Sequence, residues 1–555
     1  MALLRRLLSP VLIPLAVLAV VCAALLALPF RMIEPDDDDY FYGMHAFARG
    51  KLVMTLAEAR ELAAIKLPDA SRPGARMAPG VLSPKGFIRE RSPGHYALLA
   101  GFHWLGLDRL ANVVLALGVV AFFYWFVRRH LEESGETAVL ASLLLIVNPT
   151  FLTMLYRVYM SDFDYFAWAT VSLGLYFVAR RTRRLWLCAA AGLSLGLSVF
   201  FRNTNAIAFL VVAGYEAIGA ALHWLEEARA RRRPGTVHYH EPFGWARAAL
   251  VVACIGVGLI PLLWYSRVTT GQWLGSGYQY RLERESTAYF GLWNPRAVFS
   301  PRHLFVGELR GFMSQGYTLS VGLARVLLGY PLALLAPAGL VLMGRRRLRP
   351  ALFLALWIGL FWGVYLCYRT VRADSFQFMC RKLSPALAPL AVGAAVALGQ
   401  MPRKARYAAF AAVAAVSLGV TAEFFVQFVG PGQRMPMGPG PIQRPLGPMQ
   451  PGPRPGGMPF EGRRPPRPGE APSPRDLVQR LHARMREAED RGIDVARARV
   501  LDEASKEAAG RGDWAENRRL LEEALRTVER ALGRQGAPRE QGEPPGPGRP
   551  RGGPL

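Results

Sequence analysis

The sequence predicts an all-α polytopic membrane protein with a bundle of about eleven transmembrane helices, a large first outer loop and a small C-terminal helical unit. Three observations predict it. Long apolar runs recur as far as residue 429, and a run of roughly 18 or more apolar residues is long enough to cross the hydrocarbon core. Arginine clusters separate those runs, at Arg128-Arg129, Arg180 to Arg184, Arg229 to Arg233 and Arg345 to Arg349. Beyond residue 429 the composition turns polar, proline-rich and basic.

The formal charge is +26 over 555 residues. On a soluble chain that balance suggests nucleic acid. Here the arginines lie between apolar runs, where the tendency of cytoplasmic loops to collect Lys and Arg explains them. The five cysteines, Cys22, Cys188, Cys254, Cys367 and Cys380, show no ligand spacing. They read as small core residues, not as a disulfide framework or a metal site.

The first run follows Arg5-Arg6 and is longer than the apolar core of a signal peptide. It is expected to be an uncleaved helix with a cytoplasmic N-terminus. Spans then follow near 8–29, 110–127, 137–156, 163–179, 185–201, 205–222, 246–266, 319–343, 351–368, 383–399 and 407–428. From a cytoplasmic start, the even-numbered spans end at Arg128-Arg129, Arg180-Arg181, Glu226 to Arg233, Arg345 to Arg347 and Arg403-Lys404. The alternation is consistent with the positive-inside rule. Tyr96 to Leu107 is apolar but short, and is read as an interfacial helix. Two large outer loops result, 30–108 and about 267–318, and the C-terminus is expected outside.

Residues 1–429 are thus expected to form the membrane domain and 430–474 a Pro/Gly-rich disordered linker. Residues 475–533 should form a small unit of two or three helices. Ser473-Pro474 offers a start, and Leu477, Leu481 and Met485, then Leu520, Leu521, Ala524, Leu525 and Val528, recur at helical spacing. Such a unit is able to dock on a protein partner. Residues 534–555 read as a disordered tail.

The sharpest motif is Glu34-Pro35-Asp36-Asp37-Asp38-Asp39-Tyr40-Phe41-Tyr42, just beyond the outer end of the first span. Crowded carboxylates repel, so some of their pKa values should rise and favour a base or a bound cation. A solvated acidic loop is the plainer reading. A second acidic site, Ser161-Asp162-Phe163-Asp164, opens the fourth span at the same face. Intramembrane carboxylates are costly and mark functional sites, although Ser161 or Asp162 could also serve as a helix cap. Basic residues share this face: Arg89 and Arg91 before Ser92-Pro93-Gly94-His95-Tyr96, Arg202 in Phe201-Arg202-Asn203, and Arg381-Lys382 before Ser384-Pro385. The arginine fork suits a phosphate. Arginines at outer helix ends also run against the positive-inside bias.

This ordered set resembles the GT-C class of membrane glycosyltransferases, in the protein O-mannosyltransferase-like branch that includes the aminoarabinose transferases. The family's acidic pair after the first span is similar to Asp36 through Asp39, followed by Tyr40, Tyr42 and Ala46-Phe47-Ala48-Arg49-Gly50. Its proline step before a tyrosine resembles Pro93-Gly94-His95-Tyr96, its second acid matches Asp162, and its later basic residues match Arg202 and Arg381. The sequence departs from the family in having four consecutive aspartates. It also has Arg91, two positions ahead of Pro93, where the family often has a lysine next to the proline.

The resemblance implies an inverting transfer of a sugar from a polyprenyl-phosphate donor to a lipid, glycan or protein acceptor. The catalytic candidates are Asp37 as general base, with Asp36, Asp38 and Asp162. Arg91, Arg202 and Arg381 are the candidates for the donor phosphate. Tyr40, Tyr42, His95 and Tyr96 are candidates for acceptor or donor contacts. The crowded aspartates could hold Mg²⁺ or Mn²⁺, but the branch resembled generally does without a metal, and no cofactor is expected. The location implied is a bacterial plasma (inner) membrane with the site on its outer side. A polytopic transporter or lipid-linked sugar flippase is the competing class. It would favour broken helices, midplane charges and repeats, whereas here the charges gather at one face.

Overall fold

A computed structural model describes residues 2–32, 35–65, 67, 81–232, 243–275, 277, 327–366, 381–429, 474–491, 493–510 and 513–536. Most of the expected second outer loop, nearly all of the expected linker 430–474 and of the expected tail 534–555, and Cys367 and Cys380 lie outside the described residues. The chain divides into two compact units, 1–438 and 439–555.

The first unit is a helical bundle. Its long helices are α1 (Ala2–Ala27), α5 (Ala111–Trp125), α8 (Asp162–Thr182), α9 (Leu185–Phe201), α10 (Ile207–Arg232), α11 (Trp245–Thr270), α13 (Leu348–Leu366), α14 (Leu387–Gly399) and α15 (Arg403–Phe428). Between them lie α6 (Gly135–Ile146), α7 (Pro149–Tyr156) and α12 (Ala336–Arg346). Seven helical stretches among the described residues are long and apolar enough to cross a membrane, and the bent pair α6–α7 adds an eighth. The other three expected spans fall on α8, which carries charge at both ends, on α9, which is 17 residues long, and on α12. Many outward faces are apolar, as at Val20, Val252, Ile260 and Val426, which suits lipid as solvent.

Glycines let several of these helices touch. A Cβ on Gly196 would meet the Ile255 carbonyl oxygen at 2.3 Å, and one on Gly339 would meet that of Gly393 at 1.7 Å. Small residues at such crossings permit close van der Waals packing where no water is present to drive association.

The basic ends converge. Arg181, near the end of α8, donates to the His130 carbonyl and to Glu132. Arg347, just past α12, donates to Glu133 at 2.6 Å, and Arg406 of α15 donates to Glu136. Asp162 begins the same 21-residue helix that Arg180 and Arg181 close. The acidic motif and the basic clusters therefore lie at opposite ends of the bundle, about 30 Å apart at 1.5 Å per residue.

One expected element differs. The span at 137–156 is not a single rod: α6 and α7 meet at a bend of 57°. Pro149 has no N–H to continue the helix, and Asn148 sits extended as the N-cap of α7, its side chain accepting from Thr150 N. The bend turns the chain so that α7 ends at Tyr156 and leaves Arg157 at its C-cap.

At the acidic end, a smaller layer is built from α2 (Pro35–Ala48), α3 (Leu56–Ala63), a hairpin of β1 (Val81–Ser83) and β2 (Gly86–Ile88), and α4 (Pro93–Trp104). It has its own core, including Met32, Phe41, Met44, Tyr96, Leu99 and Tyr159. The short apolar segment after Pro93 is α4, packed on α2, with Trp104 and Leu105 exposed at its far end.

Among the described residues the second unit has three helices, α16 (Pro474–Asp490), α17 (Ala496–Gly510) and α18 (Trp514–Gly536). Leu477, Leu481 and Met485 of α16 meet Leu521, Ala524, Leu525 and Val528 of α18 in one core.

Candidate functional site

The acidic motif folds as the first turn of α2, where Asp36, Asp37 and Asp38 face the positive end of the helix dipole. Successive helical residues point about 100° apart. The four carboxylates therefore diverge, and those with a described partner meet different groups. Asp37 receives Arg157 Nη2 at 2.9 Å. Asp39 receives Arg89 and the Tyr96 hydroxyl, the latter at 2.5 Å. Asp38 is buried at 1% exposure. Asp36 is the most open of the four, with 24% of its side chain exposed, and it receives Arg91 Nη2 at 2.5 Å.

Asp36 also faces a second arginine. Arg381 Nη2 lies 3.6 Å from Asp36 Oδ2, and Arg381 Nη1 lies 3.6 Å from Asp162 Oδ2. Asp162 in turn receives Arg202. The result is an alternating row, Arg91–Asp36–Arg381–Asp162–Arg202. It joins α2, the segment before α4, the segment before α14, α8 and the end of α9. Of the eleven residues singled out in the sequence, five form this row.

The local backbone explains how each reaches it. Arg202 breaks α9 in an extended conformation and is followed by a short 3-10 turn, Asn203–Ala206. Asn205 holds the break by donating to Ser198 O at 2.9 Å and to Arg202 O through its backbone N–H at 2.8 Å. The Arg202 guanidinium lies 4.9 Å from the Tyr165 ring centroid, a cation–π contact. Pro93 opens α4, and Gly94 lets it press on α9: a Cβ there would stand 2.6 Å from Phe201 Cα.

The aspartate crowding expected to raise pKa values does not do so at Asp36. Burial pushes its carboxyl up, but the guanidiniums of Arg91 and then Arg381 outweigh that and hold it below the usual carboxylate range. The cap expected of Ser161 or Asp162 is also absent: Ser161 is the N-cap residue of α8 but makes no side-chain cap bond. Its hydroxyl is 2.6 Å from the Tyr40 hydroxyl and accepts from Arg202 Nη1 at 3.4 Å. Asp162 holds its arginines instead.

The aromatic candidates are enclosed within the protein. Tyr42 donates to Ile65 O at 3.3 Å and lies under Arg89. Tyr96 is spent on Asp39, and its oxygen also accepts from the Arg91 backbone N–H at 3.1 Å. His95 is wholly buried, with Nδ1 2.6 Å from Asp164 Oδ2. Among the described residues no group of three His, Cys, Asp or Glu is arranged to hold a metal ion.

Arg157 escaped the sequence reading. Its field reaches Asp36 and Asp162 as well as its partner Asp37. The signal was present: an arginine five residues before Asp162, in a loop assigned to the outer face, breaks the positive-inside bias as Arg202 does.

No protein-family model matches the sequence, and no curated protein does. Among solved structures, one described as ArnT from Cupriavidus metallidurans bound to undecaprenyl phosphate is similar at 15% identity and a TM-score of 0.50, covering 94% of this chain and 76% of that one. The same protein in the apo state gives 15% identity and a TM-score of 0.46 over the same shares. At this identity the likeness concerns architecture: the chain has the polytopic membrane fold of ArnT.

Proposed function

We propose that this protein is a membrane glycosyltransferase that moves a sugar from a polyprenyl-phosphate donor to an acceptor hydroxyl at the outer face of the membrane. The observation that carries the reading is the alternating row Arg91–Asp36–Arg381–Asp162–Arg202, placed at one end of the bundle on an ArnT-like fold. A solved ArnT described as bound to undecaprenyl phosphate supports the choice of donor class. A transporter would carry such charges near the midplane; here they lie at the helix ends.

The donor's phosphate competes with Asp36 and Asp162 for the three arginines. Arg381, 3.6 Å from both carboxylates, is the guanidinium most easily drawn to it. Arg91 and Arg202 flank it and neutralise charge as it grows on the leaving phosphate, the electrostatic part of the catalysis.

The general base is Asp36. Its helix neighbour Asp37, at 2% exposure and closed on Arg157, holds Arg157 in place instead. In the resting site Asp36 is ionised but weakly basic. When the phosphate draws Arg91 and Arg381 away, the carboxylate loses its counter-charges and its basicity rises. The acceptor hydroxyl then gives its proton to Asp36, and its oxygen bonds the anomeric carbon. The bond from that carbon to the phosphate oxygen breaks, and polyprenyl phosphate leaves. Attack opposite the leaving group inverts the anomeric centre. The polyprenyl tail remains in lipid throughout, which is why the chemistry sits at a bundle end.

Purified protein in polyprenol-containing vesicles, given a radiolabelled polyprenyl-phosphate sugar and cell-envelope acceptors, should pass label to an acceptor. Movement of intact donor between leaflets without cleavage would instead establish a flippase.

A further inference from the structure

We infer that His95 and Asp164 form a buried positioning pair that sets the place of the Arg202 guanidinium. The inference rests on the transferase reading above and assigns two residues that the mechanism does not otherwise use.

Both side chains have 0% exposure, so neither meets a substrate. Their bond spans α4 and α8: His95 Nδ1 lies 2.6 Å from Asp164 Oδ2. Asp164 stands two residues beyond Asp162, in the first turn of α8. Among the described residues, the remaining polar atoms of the pair, His95 Nε2 and Asp164 Oδ1, have no hydrogen-bond partner. A polar pair enclosed in this way is expensive, and a purely apolar contact would serve packing better.

The geometry around the ring indicates its use. The edge of the His95 ring meets Tyr40 of α2, with centroids 4.9 Å apart and planes at 87°. The Tyr40 hydroxyl is 2.6 Å from Ser161 Oγ, and Ser161 Oγ accepts from Arg202 Nη1. A continuous path thus runs Asp164–His95–Tyr40–Ser161–Arg202. A second tie fixes the backbone beside it: Ser92 Oγ is 3.3 Å from Asn203 Oδ1, and Gly94 lies against Phe200 and Phe201. The imidazole therefore sits where α2, α4 and α8 meet, and its orientation, set by Asp164, holds the tyrosine that holds the serine beside the arginine. Histidine supplies both the flat ring and the N–H that locks its rotation; phenylalanine supplies the ring alone.

The test measures kcat for the folded fraction of the full chain with a polyprenyl-phosphate sugar, together with a cryo-EM structure of His95→Phe. Tyr40→Phe, which leaves packing intact, should lower kcat about tenfold, the cost of one hydrogen bond. His95→Phe should lower it about 100-fold, as a misplacement near 1 Å does. The double variant should fall no further than His95→Phe, because both act on one path. His95→Asn, which returns an N–H toward Asp164, should recover most of the loss. A His95→Phe enzyme with wild-type kcat, or a double variant whose losses multiply, overturns the inference. In the cryo-EM structure Arg202 should leave Ser161 and Asp162; an unmoved Arg202 also overturns it. Should the wild type transfer no sugar while Arg202 is displaced in His95→Phe, the transferase reading has failed and the positioning stands.

Discussion

The Arg381 guanidinium stands 3.6 Å from the Asp162 carboxylate and offers its other nitrogen to Asp36 at the same distance. The two aspartates belong to different helices 126 positions apart in the chain, one opening α2 and one opening α8. A single cation bridges them at a distance longer than a good charged hydrogen bond. In the proposed reaction this group exchanges the two carboxylates for one phosphate.

Replacing Arg381 with lysine keeps the charge but loses the two-pronged reach. Transfer by Arg381→Lys should fall by about 10²-fold or more, the scale of losing one preorganised donor. Parallel kinetics of Arg381→Lys and wild type check it.

Asp36 and Asp37 are adjacent in sequence but should fail differently. Asp36→Asn should keep its fold and lose about 10²–10⁴ in kcat, the usual contribution of a general base. Asp37→Asn removes the carboxylate 2.9 Å from the buried Arg157, a loss of up to about 3–5 kcal/mol, and should lower Tm. Thermal melts beside transfer assays separate the two.

His45 lies at the end of α2, its ring 4.6 Å from that of His103, which in turn bonds Asp108 at 3.0 Å. Burial first, then His103 and Arg49, pushes its pKa down from 6.5 to about 4. Folded His45 takes up its proton near pH 4, while the unfolded chain does so near 6.5. Acidification through that window therefore favours unfolding. Because the ring is partly exposed, solvent reduces the effect to on the order of 1 kcal/mol. Tm should drop between pH 6.5 and 4, and His45→Gln should flatten the drop.

Gly339 tests the bundle itself. A methyl there would overlap the Gly393 carbonyl, so α12 and α14 would have to separate. Gly339→Ala should cost about 1–3 kcal/mol by overpacking, read as a lower melting temperature in detergent. Gly101→Ala, where a Cβ meets nothing within 4 Å, should be neutral.

The bundle was legible because lipid imposes long apolar runs and basic flanks on the sequence itself. The bend at Asn148-Pro149 was not foreseen, although the proline was visible: Phe151, Leu152, Met154 and Leu155 keep the mean hydropathy high straight through the break. At the site, sequence order brought forward Asp36, Asp162, Arg91, Arg202 and Arg381, since charges at outer helix ends are rare enough to stand out. What it could not supply was direction. Four aspartates in a row look equivalent until a helix points each one about 100° from the last. Arg157 carried a signal in its place in an outer loop, but its partner Asp37 lies 120 positions away and that of His95, Asp164, lies 69 away, so no local pattern names either pair.

A structure of the protein with polyprenyl phosphate bound addresses the central claim directly. The phosphate should lie within hydrogen-bond reach of Arg381, with Arg91 or Arg202 beside it and Asp36 freed of at least one guanidinium. A phosphate seated elsewhere, with the row from Arg91 to Arg202 still closed, would contradict the account.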